Sequence, residues 1–216
     1  MNKAPVLIAA FILGAFAVGG VGLVAITHEL TAERIAANER EALLSKLVAI
    51  LPQGAQTDAL LQDRIEVNDP DLLGSDTTSV YRVRDAGEPA GVIVAPIAPD
   101  GYGGPIKLVV AVLKDGTLGG VRVLKHSETP GLGDRCDEVK SDWILDFAGK
   151  SLGNPPPEKW KVKRDGGEFD QFTGATITPR AIVKAVKNAL LYVQKHGQSL
   201  YDQPSIATAA DKKGAS

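Results

Sequence analysis

Between Ala4 and Thr27 the chain runs for 24 residues without a charged side chain, APVLIAAFILGAFAVGGVGLVAIT. As a helix rising about 1.5 Å per residue this stretch would reach roughly 36 Å, against a hydrocarbon core of about 30 Å, so a slightly tilted single membrane span is expected. A cleaved export signal would carry an apolar region of only about 7–15 residues closed by a small-x-small site, and neither feature fits. Lys3 lies on the short side, so the positive-inside tendency leaves the N-terminus in the cytoplasm and sends the remainder to the periplasm or exterior. Gly14, Gly19, Gly20 and Gly22 either let a neighbouring helix approach closely or face lipid.

The rest of the 216 residues suffices for one folded domain with appendages. Lys and Arg number 24 against 26 Asp and Glu, and no basic stripe exists to neutralise a row of phosphates, so no nucleic-acid partner is expected. The single cysteine, Cys136, excludes an intramolecular disulfide, a four-thiolate cluster and a cysteine-based zinc site. Three scattered histidines add no metal cluster.

The reading along the chain is an α+β protein: a transmembrane anchor over 1–28, a helical stalk over 29–57, a domain over 58–200 with an antiparallel sheet packed by helices, and a disordered tail over 201–216. Leu30, Ile35, Leu43, Leu44, Leu47 and Val48 follow helical spacing until Pro52 and Gly54 stop them. Two hairpins follow. The first joins Ser79–Arg84 to Gly91–Ile97 through AGEP, and the second joins Ile106–Leu113 to Leu118–Lys125 through Lys114-Asp115-Gly116-Thr117. A second helix is predicted over Glu138–Ala148, with Trp143, Ile144 and Phe147 inward, before the Pro155-Pro156-Pro157 breaker. The third is the clearest: Thr178 suits an N-cap, Pro179 the first helical position, and Ile182, Val183, Val186, Ala189, Leu190 and Val193 form one apolar face that ends near Gly197.

Just before that helix stands Asp170-Gln171-Phe172-Thr173-Gly174-Ala175-Thr176. Small residues and a hydroxyl at a helix N-terminus suit a phosphate, because unpaired amides and the dipole favour an anion there by about 0.3–1 kcal/mol. A bare Gly-Ala-Thr is a turn with a capping threonine before it is a phosphate site. The full pattern Asp-x-x-(Ser/Thr)-Gly-Ala-(Ser/Thr) would arise by chance in roughly one chain in a thousand of this length.

That pattern resembles the flavinylation motif of FMN-binding domains. The resemblance implies that Asp170, Thr173, Gly174 and Ala175 form the motif and that Thr176 carries FMN through a phosphoester. It further implies a flavin transferase that takes FMN from FAD, releases AMP and uses a divalent metal. Gly101-Tyr102-Gly103-Gly104-Pro105-Ile106 and His126-Ser127-Glu128-Thr129-Pro130-Gly131-Leu132-Gly133 are similar to the G subunit of Rnf-type electron transport complexes, and more loosely to the C subunit of the sodium-pumping NADH:quinone reductase. Glu128, Thr129, Gly131 and Leu132 are accordingly flavin-contact candidates. On its own terms Pro130-Gly131 fits the centre of a type II turn. The 101–104 stretch lacks the Gly-Lys-(Ser/Thr) ending of a P-loop and is a tight connection into the sheet.

Other residues carry less. Cys136 is a small semi-buried side chain before it is a redox thiol, and His126 is a strand residue before it is a ligand. Trp143, Phe147 and Trp160 are packing rings. Lys161, Lys163 and Arg164 are a solvated hairpin face before they are a patch that meets the flavin phosphate or a partner. The function implied is a membrane-anchored flavoprotein subunit relaying electrons within an ion-translocating complex of the bacterial inner membrane, not an enzyme alone, with integral and iron–sulfur subunits as partners. A membrane-anchored FMN-binding regulatory module and an unmodified assembly subunit are the rivals from other classes.

Overall fold

The computed structural model describes residues 3–51 and 60–206. Residues 52–57 of the expected stalk and 207–216 of the expected tail lie outside these. The chain divides into two units, Met1–Leu44 and Ser45–Ser216.

Helix α1 runs unbroken from Ala4 to Val48, and its residues up to Leu44 form the first unit. Pro5 is tolerated because the first-turn amides have no intrahelical partner. Thr27 and Thr31 donate their hydroxyls back to the carbonyls of Leu23 and Thr27, so neither presents an unpaired group. Among the described residues α1 is the one helix long and apolar enough to cross a membrane; its most apolar 18-residue window has a mean hydropathy of 2.5 and none of it is buried in protein. Bare Phe11 and Phe16, each 78% exposed, suit lipid rather than water.

The second unit is a six-stranded antiparallel sheet: β1 (Arg64–Val67), β2 (Thr78–Asp85), β3 (Glu88–Val94), β4 (Ile97–Ala98), β5 (Ile106–Leu113) and β6 (Leu118–Lys125). β1, β2, β3, β5 and β6 pair in that order, and β4 continues along the β5 edge that β3 occupies, at Ile97 opposite Lys107. The β5–β6 hairpin is the one expected. Its Asp115 accepts hydrogen bonds from the Thr117 amide and hydroxyl, and Gly116 supplies φ +83.

β5 is buried on both faces. Ile106, Leu108, Val110 and Val112 face a core shared with helix α3 (Ile177–His196), whose Ile182, Val186, Ala189 and Leu190 are buried there. Near the other face, a Cβ at Gly120 would come 2.9 Å from Ile50 Cγ2, so the bare glycine lets Ile50 sit against the sheet. Two short helices complete the fold: α2 (Pro70–Leu73), capped by Asp69, and α4 (Ser199–Asp202).

Three expectations change. The helix over Glu138–Ala148 is a 3-10 helix over Asp142–Phe147: Ser141 caps it, and pairing of Gly149 and Lys150 with Leu118 of β6 pulls the chain out of it. Ile144 and Phe147 point inward as expected, while Trp143 packs against the core half-buried. α3 starts two residues early, for a reason given below. Residues 201–205, placed in the tail, are held: buried Arg82 donates to the carbonyls of Leu200, Tyr201 and Gln203 and pairs with Asp63, while Tyr201 donates its hydroxyl to Gly91.

Candidate functional site

Thr176 is the N-cap of α3, yet it already has helical dihedrals, φ −85 and ψ −25. A threonine that caps is normally extended, so that its oxygen reaches back to the next turn's amides. Here the Thr176 side chain makes no capping hydrogen bond, so its hydroxyl is not spent on the first turn, where Pro179 has no amide and the Arg180 amide donates to Thr176 O. Thr178, expected as the cap, donates its hydroxyl instead to Glu128 Oε2 at 2.5 Å. With Thr178 drawn into that contact, the helix begins at Ile177 and Pro179 falls within the first turn, where its missing N–H costs nothing.

The motif preceding Thr176 is a β-turn: the Ala175 amide donates to Phe172 O at 3.1 Å, and Gly174 takes φ +84 at the third position. Phe172 points down into a run of rings. Trp143 meets Phe172 edge to face at 4.9 Å and Phe147 at 5.3 Å, and Phe147 stacks on Phe169 at 4.8 Å. Trp143 also donates Nε1–H to Asp170 O at 2.8 Å, so the first half of the motif is anchored at Asp170 and Phe172 to the same aromatic cluster. The Asp170 carboxylate pairs with Lys163 at 2.7 Å.

The Thr129–Leu132 segment forms the type II turn expected, with the Leu132 amide on Thr129 O at 3.1 Å and φ +77 at Gly131. It lies beside the motif: a Cβ at Gly174 would sit 3.2 Å from Leu132 Cδ2, and Leu132 remains 42% exposed. Gly131 is exposed as well, whereas Glu128 is 5% exposed and its carboxylate turns inward. Glu128 Oε1 accepts the Gly103 amide at 3.1 Å, which links the glycine-rich 101–104 loop to the turn. Gly133 makes this closeness possible, since a Cβ there would come 2.5 Å from Glu128 Oε2. His126 Nδ1 accepts the Glu128 amide and serves the local turn. Cys136 is fully buried, and burial first, then the field of Glu128, pushes its thiol up to about 12, which rules out an accessible thiolate.

The charged surroundings were the least legible part. Arg164 Nη1 donates to Thr176 Oγ1 at 3.4 Å. Arg180 makes a two-pronged pair with Asp165 at 2.7 and 2.8 Å, which holds the Asp165 carboxyl below its ordinary range. Among the described residues no cluster of His, Cys, Asp and Glu fit for a metal occurs.

Comparison with known proteins sets this geometry in a lineage. Residues 101–191 match the model of the FMN-binding domain, and residues 1–50 match that of the RnfG N-terminal region. The chain is 47% identical over 194 residues to a protein of Vibrio cholerae serotype O1 named as the G subunit of an ion-translocating oxidoreductase complex, covering 90% of this chain and 93% of that one. This chain belongs to that family of G subunits. A Pseudomonas aeruginosa protein of the same name is 48% identical over 192 residues, covering 88% of this chain and 90% of its own. One from Shewanella loihica is 45% identical over 197 residues, covering 91% and 93%.

The residues of this family member fit a flavin mononucleotide. A helix start with no side-chain cap, and a guanidinium donating to the Thr176 hydroxyl, suit its phosphate, and Leu132 offers an apolar surface beside them. The apolar helix α1 fits a single-pass anchor in a membrane complex.

Proposed function

We propose that this chain is the membrane-anchored flavoprotein subunit of an ion-translocating oxidoreductase complex, with FMN joined covalently to Thr176. The observation that carries the reading is the Thr176 hydroxyl, uncommitted to capping at the start of α3 and faced by Arg164. The flavin, once bound, supplies one- and two-electron transfer.

Thr176 is the acceptor in maturation. Its Oγ forms the new P–O bond with the FMN phosphorus of FAD, the anhydride P–O bond breaks, AMP leaves with the bridging oxygen, and the hydroxyl proton passes to a base of the flavin transferase, whose divalent metal offsets phosphate charge. The turn at Phe172–Ala175 keeps Thr176 accessible, because Gly174 and Ala175 add no bulk beside it. Thr129, Gly131 and Leu132 supply the surface nearest the motif for the ring, and Glu128 holds that turn to α3.

Covalent attachment keeps the cofactor with a domain exported to the periplasmic side of the bacterial inner membrane, and the anchor raises its effective concentration near its electron partners. Those partners are integral subunits and iron–sulfur subunits of the complex, since a chain with one cysteine cannot itself hold a four-thiolate cluster.

The test is in-gel flavin fluorescence with intact mass after coexpression with the transferase. Wild type gains one FMN less water, Thr176→Ala gains nothing, and Thr176→Ser retains the adduct. An unmodified wild type in the presence of an active transferase overturns the reading.

A further inference from the structure

The loop that precedes the motif carries Lys161, Lys163 and Arg164 and brings Arg164 to Thr176. It folds back on itself, with Lys163 N on Phe169 O at 2.7 Å and Phe169 N on Lys161 O at 3.1 Å. A short 3-10 turn over Lys163–Asp165 ends at Gly166, φ +81, and a Cβ at Gly167 would come 1.9 Å from Lys161 O, so the return is closed to any other residue. Gln171 Oε1 accepts the Arg164 amide at 3.2 Å and fixes the loop tip against the motif.

Charges around Thr176 are then paired off. Lys163 is taken by Asp170 and Arg180 by Asp165. Arg164 makes no ion pair among the described residues and is the cation whose guanidinium reaches Thr176 Oγ1. A phosphodiester carries one negative charge on two non-bridging oxygens, and a guanidinium fork matches that group in charge and shape.

We propose that Arg164 is the phosphate ligand of the flavin carried on Thr176. This rests on the covalent reading above. Arg164 is a solvent-exposed loop residue, so its replacement leaves the core untouched.

The experiment uses the full-length chain in detergent, flavinylated by coexpressed transferase, as wild type, Arg164→Gln, Arg164→Lys and Lys161→Gln. Two quantities are read on the loaded proteins: the phosphorus-31 resonance of the phosphodiester and the fluorescence anisotropy of the flavin. Arg164→Gln is expected to shift the resonance and lower the anisotropy, Arg164→Lys to recover part of both, and Lys161→Gln to match wild type. A time course of loading is expected to slow by about tenfold or more in Arg164→Gln, the value of one charge-assisted hydrogen bond. Arg164→Gln indistinguishable from wild type in resonance, anisotropy and loading rate overturns the assignment. Absence of covalent flavin from wild type overturns instead the reading beneath it.

Discussion

The Thr178 hydroxyl donates to the buried carboxylate of Glu128 across 50 positions of sequence. Through that contact and the Gly103 amide, one side chain ties together the glycine-rich loop, the Thr129–Leu132 turn and the first turn of α3. A residue read from sequence as a ring contact therefore acts as the brace on which neighbouring candidates depend.

Glu128→Ala leaves the buried Thr178 hydroxyl without its acceptor, while the Gly103 amide, in an exposed residue, turns to water. One buried unsatisfied group costs about 1–3 kcal/mol, so a loss of about 2 kcal/mol is expected in chemical unfolding of the second unit. Glu128→Gln keeps an acceptor for one donor and is expected to lose about 1 kcal/mol. Equal midpoints for Ala and wild type would remove the brace from the account.

Gly174 separates backbone strain from site geometry. Gly174→Ala places a side chain at φ +84 and 3.2 Å from Leu132, and Gly87→Ala places one at φ +90 with open space around it. Both are expected to lose about 1–2 kcal/mol for the left-handed backbone. Only Gly174→Ala is expected to reduce flavin loading, measured by in-gel fluorescence, because only it displaces Leu132.

The Cys136 thiol is raised from 9.0 to about 12, so the fold favours its neutral form. That contribution is fully present below pH 9 and declines as pH rises from there toward 12. Iodoacetamide at neutral pH is expected to label Cys136 only after denaturation. Rapid labelling of the native chain would contradict the burial.

Arg82 is 5% exposed and gathers the carbonyls of Leu200, Tyr201 and Gln203 while paired with Asp63. Arg82→Ala is expected to cost about 3 kcal/mol, the lower end for breaking a buried pair, because Asp63 keeps Arg84 as a second partner. Hydrogen exchange should rise first over residues 199–205.

What the sequence made legible were features with local causes. The β5–β6 hairpin follows from alternation and a Lys-Asp-Gly-Thr turn, the Pro130-Gly131 turn from its own two residues, and the end of α3 at Gly197 from the loss of its apolar face. The misplaced features have distant causes. Thr178 is a sound N-cap until Glu128 claims its hydroxyl, and the 3-10 helix Asp142–Phe147 stops where Leu118 captures the residues after it. Residues 201–205 look featureless until Arg82, more than a hundred positions earlier, supplies donors for their carbonyls. Arg164 stood in an unremarkable basic patch, and only its neighbours' pairing with Asp170 and Asp165 distinguishes it.

The run of rings from Trp160 through Phe169, Phe147 and Trp143 to Phe172 bears on when the acceptor threonine exists as a substrate. These rings come from three separate stretches of chain and belong to the same core as the sheet and α3. A chain whose rings are not yet packed lacks the Phe172–Ala175 turn that displays Thr176, so on the covalent reading proposed above only the folded domain is a substrate for loading.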